Sequence, residues 1–193
     1  MYLNSLIFHL WFRSPMNSNI FLIGPMGVGK TTIGRHIAEI LKMTFIDSDH
    51  EIEERTGVSI PWIFEYEGEA GFRKREHAMI DELTKHHNLI LSTGGGVVLD
   101  IHNRKHLQSR GIVIYLSASI DSLLERTAHN QNRPLLQTTN PRERLETLLK
   151  QRHPLYTAIA DTIIDTENKS IRQVVKMVLK YLKEIEQNED TTS

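Results

Sequence analysis

Residues 20–32 of the sequence read IFLIGPMGVGKTT: an apolar run, then a glycine-rich turn, then the start of a segment with helical periodicity. Residues 24–31 match G-x-x-x-x-G-K-[ST] at every position, between a predicted strand and a predicted helix, which is the context this motif requires. The glycines allow successive peptide N–H groups to face one anion, and the helix adds the positive end of its dipole. The stretch therefore predicts a strand–loop–helix unit that holds a polyphosphate.

Two side chains of this loop carry the predicted chemistry. Lys30 would reach the β and γ phosphates of a nucleotide, while the Thr31 hydroxyl would bind Mg²⁺. A dinucleotide site is the alternative, because acids follow the glycines at about the required 20 residues, but Thr32 stands where that fingerprint needs its third glycine. A nucleoside triphosphate is therefore predicted, with contacts at Gly27, Val28, Gly29, Lys30, Thr31 and Thr32.

The rest of the chain alternates short apolar runs with longer segments of helical periodicity, a pattern typical of βαβ units and a parallel sheet. The predicted strands are residues 20–23, 44–47, 89–92, 112–116 and 162–165. The predicted helices are residues 30–42, 49–55, 61–66, 69–86, 103–110, 119–126, 141–151 and 171–187. The sequence therefore indicates the α/β class.

Length and composition limit the possible functions. With 193 residues the chain is short for two domains, so one domain over residues 16–187 is predicted. Its 23 basic and 24 acidic residues leave no positive excess for nucleic acid or an anionic membrane, and no apolar run approaches the ~20 residues of a membrane span. The absence of cysteine excludes disulfides, thiolate metal sites and cysteine nucleophiles, and it fits a reducing cytoplasm.

Three segments stand apart from this domain pattern. Residues 1–15 lack the basic start of a secretory signal. We interpret them as an extension that is either not native or dispensable. The alternative is a flap that covers an apolar groove. Residues 127–140 are polar, free of glycine and longer than most connections, which predicts a lid. Residues 188–193 are predicted to form a disordered polar tail.

Polar or glycine residues also follow two further predicted strands. Asp47 and Asp49 end the second strand, and in extended geometry acids two residues apart face the same side, toward the ligand crevice of an open α/β sheet. These acids could support Mg²⁺ and grip a substrate hydroxyl, whereas Asp49 could instead be the N-cap of the next helix. Gly94, Gly95 and Gly96 after the third strand would let backbone approach a ligand closely, with a flexible turn as the alternative.

Side chains that could bind anions or metals occur at several predicted element ends. Arginine suits the bidentate grip of carboxylates and phosphates, although most exposed arginines are only solvated. The candidate arginines are Arg73, Arg126, Arg133 and Arg152. His102 and His106 have the spacing of a helical metal pair, but no third ligand accompanies them, so we interpret them as solvent-facing.

Taken in order, these motifs resemble the shikimate kinase family. The resemblance runs from about Ile20 to the last helix and rests on the P-loop, Asp47-x-Asp49, Gly-Phe-Arg at 71–73, Thr-Gly-Gly-Gly at 93–96, Arg-Pro-Leu-Leu at 133–136 and Arg-x-Pro-Leu-Tyr at 152–156. It implies a three-layer αβα P-loop kinase fold with a five-stranded parallel sheet and a mobile lid. It also implies phosphoryl transfer from ATP to the 3-hydroxyl of shikimate in aromatic amino-acid biosynthesis.

The resemblance assigns roles to individual residues. Asp49 would bind a shikimate hydroxyl and could act as the base, with Lys30 and Arg133 as the other catalytic residues. Asp47 would support the Mg²⁺ shell around Thr31 without binding the ion itself. The implied shikimate contacts are Asp49, Phe64, Phe72, Arg73, Gly94, Gly95, Gly96 and Arg152. Besides the P-loop, the implied ATP contacts are Arg126, which would stack on adenine, Arg133 from the lid, and Lys169.

The sequence departs from the family pattern near the predicted adenine site, where residues 167–171 offer Lys169 and no proline. Two other functions stay open at this point: a P-loop kinase for another small hydroxy acid such as gluconate, and a nucleotide-sensing protein that transfers nothing. The expected partners are ATP, Mg²⁺ and shikimate, with no nucleic acid and no membrane. We expect a cytoplasmic monomer.

Overall fold

One parallel sheet of five strands organises the computed structural model, which describes residues 18–128 and 140–190. The strands are β1 (Asn19–Ile23), β2 (Thr44–Asp47), β3 (Leu89–Ser92), β4 (Gly111–Ser117) and β5 (Thr162–Asp165). Their order across the sheet is β2-β3-β1-β4-β5, and every neighbouring pair is parallel. The predicted α/β class and five-stranded parallel sheet are confirmed, and each predicted strand lies within one residue of the observed one.

Helices connect these strands and cover both faces of the sheet. In the ranges that the structure describes they are α1 (Lys30–Leu41), α2 (Ser48–Thr56), α3 (Ile60–Leu83), α4 (Ile101–Arg110), α5 (Ile120–Thr127), α6 (Pro141–Ile159) and α7 (Ile171–Asp190), with a 3₁₀ turn at Val97–Leu99. No helix in those ranges combines the length and the apolar character needed to cross a membrane.

The core consists of two apolar layers, one on each side of the sheet. Side chains alternate along a strand, so Ile20 and Leu22 of β1 enter one layer while Phe21 and Ile23 enter the other. Helices α1 and α7 supply the first layer, for example through Ile37. Helices α3 and α4 supply the second. This is the predicted three-layer αβα arrangement.

Two observed helices have other bounds than the predicted ones, although the predicted break before residue 69 coincides with non-helical backbone at Gly68. Helix α6 runs past Pro154 to Ile159, although proline removes one backbone hydrogen bond. Tyr156 and Ile159 beyond the proline are buried in the core, and this packing keeps the last turn helical. The predicted helices 61–66 and 69–86 are joined as α3, with a kink at Gly68, whose φ is 71°.

The ends of the chain and the predicted lid give different outcomes. Helix α7 extends to Asp190, so the tail predicted to be disordered from residue 188 is helical over its first three residues. The predicted extension 1–15 lies outside the described residues. So does most of the predicted lid 127–140, because the structure describes only residues 127, 128 and 140 of it.

Candidate active site

An open cavity of about 280 Å³ lies at the carboxyl ends of β1, β2 and β3. Its lining includes the following predicted site residues: Lys30, Thr31, Asp47, Asp49, Phe64, Phe72, Arg73, Gly94, Gly95, Gly96 and Arg152. Sequence reasoning assigned no role to the remaining lining residues, which are Met26, Glu53, Ile60, Glu76, Ser92 and Thr93. The structure thus brings together side chains from five separate segments of the chain.

The P-loop forms one end of this cavity. It connects β1 directly to α1, as the motif predicts. The ammonium of Lys30 is buried and donates hydrogen bonds to the carbonyl oxygens of Gly24, at 2.8 Å, and Pro25, at 2.9 Å. The lysine is therefore held over its own loop, at the position where that motif binds phosphate. Val28 packs into the core and Thr32 is exposed, so neither side chain lines the cavity.

A hydroxyl and a carboxylate meet beside the loop. The Thr31 hydroxyl donates to Asp47 Oδ2 at 2.7 Å and lies 3.4 Å from the Ser92 hydroxyl oxygen. Asp47 also caps α2, because its Oδ1 accepts from the backbone N–H of Asp49 at 3.1 Å. The N-cap is therefore Asp47, and the alternative that Asp49 has this role is wrong. Asp49 lies in the first helical turn and not in extended backbone, yet both acids reach the cavity.

Hydroxyl and carboxylate oxygens are the ligands that Mg²⁺ prefers. The ion commonly takes only one or two ligands from the protein and the rest from phosphates and water. Within the described ranges 18–128 and 140–190, no cluster of three or more histidine, aspartate or glutamate side chains suited to a metal ion occurs. His102 is exposed as expected, whereas His106 is partly buried, 3.3 Å from Asp81. The hydroxyl–carboxylate pair at Thr31 and Asp47 is the arrangement that fits Mg²⁺.

The glycine run packs tightly against charged groups. A Cβ atom on Gly94 would lie 2.6 Å from Asp49 Oδ1 and 2.8 Å from Glu76 Oε1, and one on Gly96 would overlap the Arg73 guanidinium. The N–H of Gly94 donates to the Ser48 hydroxyl at 3.1 Å. These contacts exclude the flexible-turn alternative, since glycine is needed here for close approach.

Arg73 and Glu76 form an ion pair one helical turn apart on α3. Arg73 Nη1 donates to Glu76 Oε2 at 2.7 Å, and Nη2 donates to the more exposed Glu69 at 2.8 Å. Glu76 is only 1% exposed, and burial raises the pKa of its carboxyl even though Arg73 opposes that shift. Sequence reasoning missed Glu76; its i, i+3 spacing from Arg73 was the available signal.

Arg152 enters the cavity from α6 and is 4% exposed. Its Nη1 donates to the carbonyl oxygen of Gly95 at 3.0 Å. Burial lowers the pKa of its guanidinium, although an arginine side chain stays charged in proteins. Phe64 and Phe72 line the same cavity with ring centroids 5.0 Å apart. The cavity therefore combines two guanidinium groups and the Lys30 ammonium with an apolar wall.

The predicted adenine contacts lie beyond this cavity, around the loop that follows β5. Arg126 of α5 donates to the hydroxyl of Thr166 at 3.1 Å and to its carbonyl at 3.3 Å. Lys169 donates to Asp165 and to the carbonyl of Glu167, both at 3.2 Å. The structure thus brings Arg126 and Lys169 to the same loop, whereas the predicted lid residue Arg133 lies outside the described residues.

A phosphate-binding loop whose neighbouring cavity has two arginines and an aspartate is typical of a P-loop phosphotransferase for a small acidic acceptor. A family model described as shikimate kinase matches residues 26–183. The shikimate kinase of Methylococcus capsulatus is 58% identical over 161 residues, covering 83% of this chain and 90% of that protein. The chain belongs to the shikimate kinase family, and the predicted family, enzyme class and ATP co-substrate are confirmed.

Solved structures agree with this assignment. A shikimate kinase from Acinetobacter baumannii in complex with shikimate is similar with a TM-score of 0.85 and 50% identity, over 86% of this chain and 93% of that chain. A gluconokinase from Sinorhizobium meliloti has a TM-score of 0.61 and 18% identity, over 94% of this chain and 99% of that chain. That second similarity shows a shared fold alone, so the gluconate alternative is not favoured.

Proposed function

We propose that this chain transfers the γ-phosphoryl group of ATP to the 3-hydroxyl of shikimate, giving shikimate 3-phosphate and ADP. The observation that carries the proposal is one cavity in which Arg73, Arg152 and Asp49 lie next to the P-loop. Two guanidinium groups suit one carboxylate, and a carboxylate suits a hydroxyl, which together match a small polyhydroxylated acid. Family membership and the shikimate complex of a similar protein support the same substrate.

At the nucleotide end, we assign the phosphates to the backbone N–H groups of the P-loop and to Lys30. The lysine exchanges its bonds to the Gly24 and Pro25 carbonyls for the β and γ phosphate oxygens. Arg126 stacks on adenine, with Lys169 beside it on the loop after β5. Arg133, from the predicted lid, supplies positive charge to the transferring phosphate, and the lid excludes water from it.

Thr31 and Asp47 hold Mg²⁺ in this proposal. The Thr31 hydroxyl would bind the ion, and Asp47, which accepts the hydrogen bond of that hydroxyl, would support the shell around the ion. When bound, Mg²⁺ neutralises charge on the β and γ phosphates. The protein's own contribution is to keep the hydroxyl and the carboxylate fixed, and the N-cap role of Asp47 does so by anchoring its carboxylate to α2.

At the acceptor end, Arg73 and Arg152 hold the shikimate carboxylate, while Phe64 and Phe72 contact the ring. The backbone of Gly94, Gly95 and Gly96 approaches the same substrate closely. Asp49 accepts the hydrogen bond of the 3-hydroxyl and takes up its proton as the oxygen bonds to the γ-phosphorus and the bond to ADP breaks. Asp49 thus acts as the base and as the anchor of the hydroxyl.

The experiment that tests this function is ADP release with Mg²⁺·ATP across shikimate, shikimate methyl ester, gluconate and no acceptor. We expect release with shikimate, a strongly reduced rate with the ester because the arginines lose their anionic partner, and little release otherwise. Release with gluconate and none with shikimate would contradict the proposal. Equal rates with shikimate and its ester would remove the carboxylate role of Arg73 and Arg152.

Two expectations about the surroundings stay predictions. We propose that the chain acts as a monomer, which light scattering coupled to size exclusion tests. We also propose that it acts in the cytoplasm, where ATP is available and where a protein without cysteine has no need of an oxidising compartment. Fractionation of cells that express the chain tests that location.

A further inference from the structure

A buried tyrosine lies directly behind the glycine run. Tyr156 of α6 is fully buried, and its hydroxyl donates to the carbonyl oxygen of Gly95. The same oxygen accepts the hydrogen bond from Arg152 Nη1 at 3.0 Å. One carbonyl of the cavity wall therefore receives two donors from one helix, and one of those donors is a guanidinium that faces the cavity.

Two donors on one carbonyl fix the orientation of a whole peptide unit. The Gly95–Gly96 peptide is planar, so its N–H lies on the opposite edge from the oxygen and is directed away from α6. Successive glycines would otherwise have many backbone conformations available. The preceding carbonyl, of Gly94, accepts from the Val97 N–H at 3.2 Å, which fixes the neighbouring peptide as well. The backbone that faces the acceptor cavity is thus held from behind.

The same arrangement orients Arg152. Its Nη1 is bound to the Gly95 oxygen, while its buried Nε has no hydrogen-bond partner within the described part of the chain. An unsatisfied buried donor on a charged group is costly, and a ligand anion would satisfy it. Displacing the Gly95 carbonyl would therefore move both the backbone and the guanidinium that face the ligand.

Tyr156 is itself held by a second tyrosine from the sheet. Its ring stacks on that of Tyr115 in β4, with centroids 4.9 Å apart, and the Tyr115 hydroxyl lies 3.0 Å from His153 Nδ1. Burial raises the pKa of the Tyr156 hydroxyl above its usual value, so this group stays protonated and remains a donor at neutral pH. The two rings pack as a pair, but only Tyr156 contacts the glycine run.

We propose that Tyr156 is a positioning residue for the acceptor site: through the Gly95 carbonyl it sets the glycine backbone and Arg152 to receive the acid group of the substrate. The inference rests on the proposed function, because it assumes that the acceptor binds in this cavity. Its effect should fall on acceptor binding, since the carbonyl that Tyr156 holds belongs to the glycine run of the acceptor cavity.

The test compares Tyr156→Phe with Tyr115→Phe. Each substitution removes one tyrosine hydroxyl and keeps the ring of the stacked pair, but only the first removes a donor to Gly95. We expect Tyr156→Phe to raise the KM for shikimate about tenfold, the equivalent of one hydrogen bond, with kcat and the KM for ATP within about twofold of wild type. Tyr115→Phe should leave all three constants within about twofold.

A double-variant cycle with Arg152→Ala provides the second measurement. If Tyr156 acts through Gly95 and Arg152, adding Tyr156→Phe to Arg152→Ala should raise the KM for shikimate by clearly less than tenfold. Four outcomes would overturn the positioning role. In the cycle, the increases in the KM for shikimate could be additive. In the single variants, the KM for shikimate could be unchanged in Tyr156→Phe or could rise equally in both tyrosine variants, or the Tyr156→Phe protein could fail to fold. A wild-type protein without shikimate-dependent ADP release would instead overturn the proposed function, and the inference with it.

Discussion

In the proposed function, the two ends of the crevice bind negative charge by different physical means. The nucleotide end uses the peptide dipoles of a single loop and one lysine, whose ammonium is already bonded to two loop carbonyls. The acceptor end uses side-chain charges from separate helices: Arg73 and the buried Glu76 from α3, and the buried Arg152 from α6. The first end is made by consecutive residues, whereas the second exists only after the helices pack against the glycine run.

This difference predicts where substitutions act. Fixed peptide dipoles need no compensating ion, but a buried charge is stable only with a partner that offsets its loss of hydration. Burial raises the pKa of Glu76 and lowers that of Arg152, so in both residues it disfavours the charged form. Changes at the nucleotide end should therefore alter turnover, whereas changes at the charges of Arg73, Glu76 and Arg152 should alter acceptor binding and stability. Asp49 is the exception at the acceptor end, because it contacts the reacting hydroxyl and its loss should alter turnover.

Lys30→Met should produce the largest effect. The substitution keeps the length of the side chain but removes the charge that contacts the β and γ phosphates, so kcat should fall about 10³-fold. Steady-state ADP release measures this change. Lys105→Met on α4 removes an exposed lysine outside the cavity and is the matched control. Turnover by Lys30→Met within tenfold of wild type would contradict the role of the lysine.

Asp49→Asn should lower kcat about 10²-fold while the KM for ATP stays unchanged. The amide still contacts the acceptor hydroxyl but cannot take up its proton, and loss of a positioned base typically costs about 10²–10⁴ in rate. Rapid-quench measurement of phosphoryl transfer is the assay that isolates this step. Glu54→Gln removes an exposed acid from the same helix and should be neutral. An Asp49→Asn enzyme with normal turnover would eliminate both roles assigned to Asp49.

Arg152→Ala should act on the acceptor, in contrast to Lys30→Met. We expect the KM for shikimate to rise about 30-fold, equivalent to roughly 2 kcal/mol, because the variant loses one buried partner of the carboxylate. The KM for ATP should change little. Lys150→Ala, which removes an exposed charge from the same helix, is the control. A normal shikimate KM in Arg152→Ala would mean that Arg73 binds the carboxylate without it.

The same contrast explains what could be predicted from the sequence. The P-loop motif consists of the consecutive residues 24–31, and each strand has its own apolar run. The loop and the strands were therefore predicted to within one residue. Asp49 was predicted as a site residue on the assumption of extended backbone. This assumption is wrong, because α2 begins at Ser48 and places Asp49 in a helical turn. Local pattern could not show that Asp47, and not Asp49, caps that helix.

Other features depend on contacts between distant segments. Glu76 is an ordinary acid in the sequence, and its burial follows only from the packing of α3 against the glycine run. Tyr156 belongs to a predicted motif, yet its contact with Gly95 joins residues 61 positions apart. The helix predicted over residues 141–151 continues through Pro154 to Ile159, because the packing of Tyr156 and Ile159 outweighs the missing backbone hydrogen bond.

Glu76→Gln should give the smallest kinetic effect and the clearest pH signature of the acceptor end. The side chains of glutamate and glutamine have nearly the same shape, so Arg73 can still donate a hydrogen bond to the neutral amide oxygen at position 76. The KM for shikimate should therefore rise only about fivefold.

The folded-state pKa of Glu76 is raised, so between its unfolded value and its folded value the folded protein binds more protons than the unfolded chain. The free energy of unfolding must therefore fall as pH increases through this window, and stability from Glu76 is greatest below it. Glu76→Gln removes this fall, whereas Glu69→Gln, which changes the more exposed partner of Arg73, should retain it. Urea unfolding from pH 4 to 8 measures how the free energy of unfolding changes with pH in both variants. If Glu76→Gln kept the wild-type dependence on pH, the buried carboxyl would be ionised throughout this range, with Arg73 fully offsetting its burial.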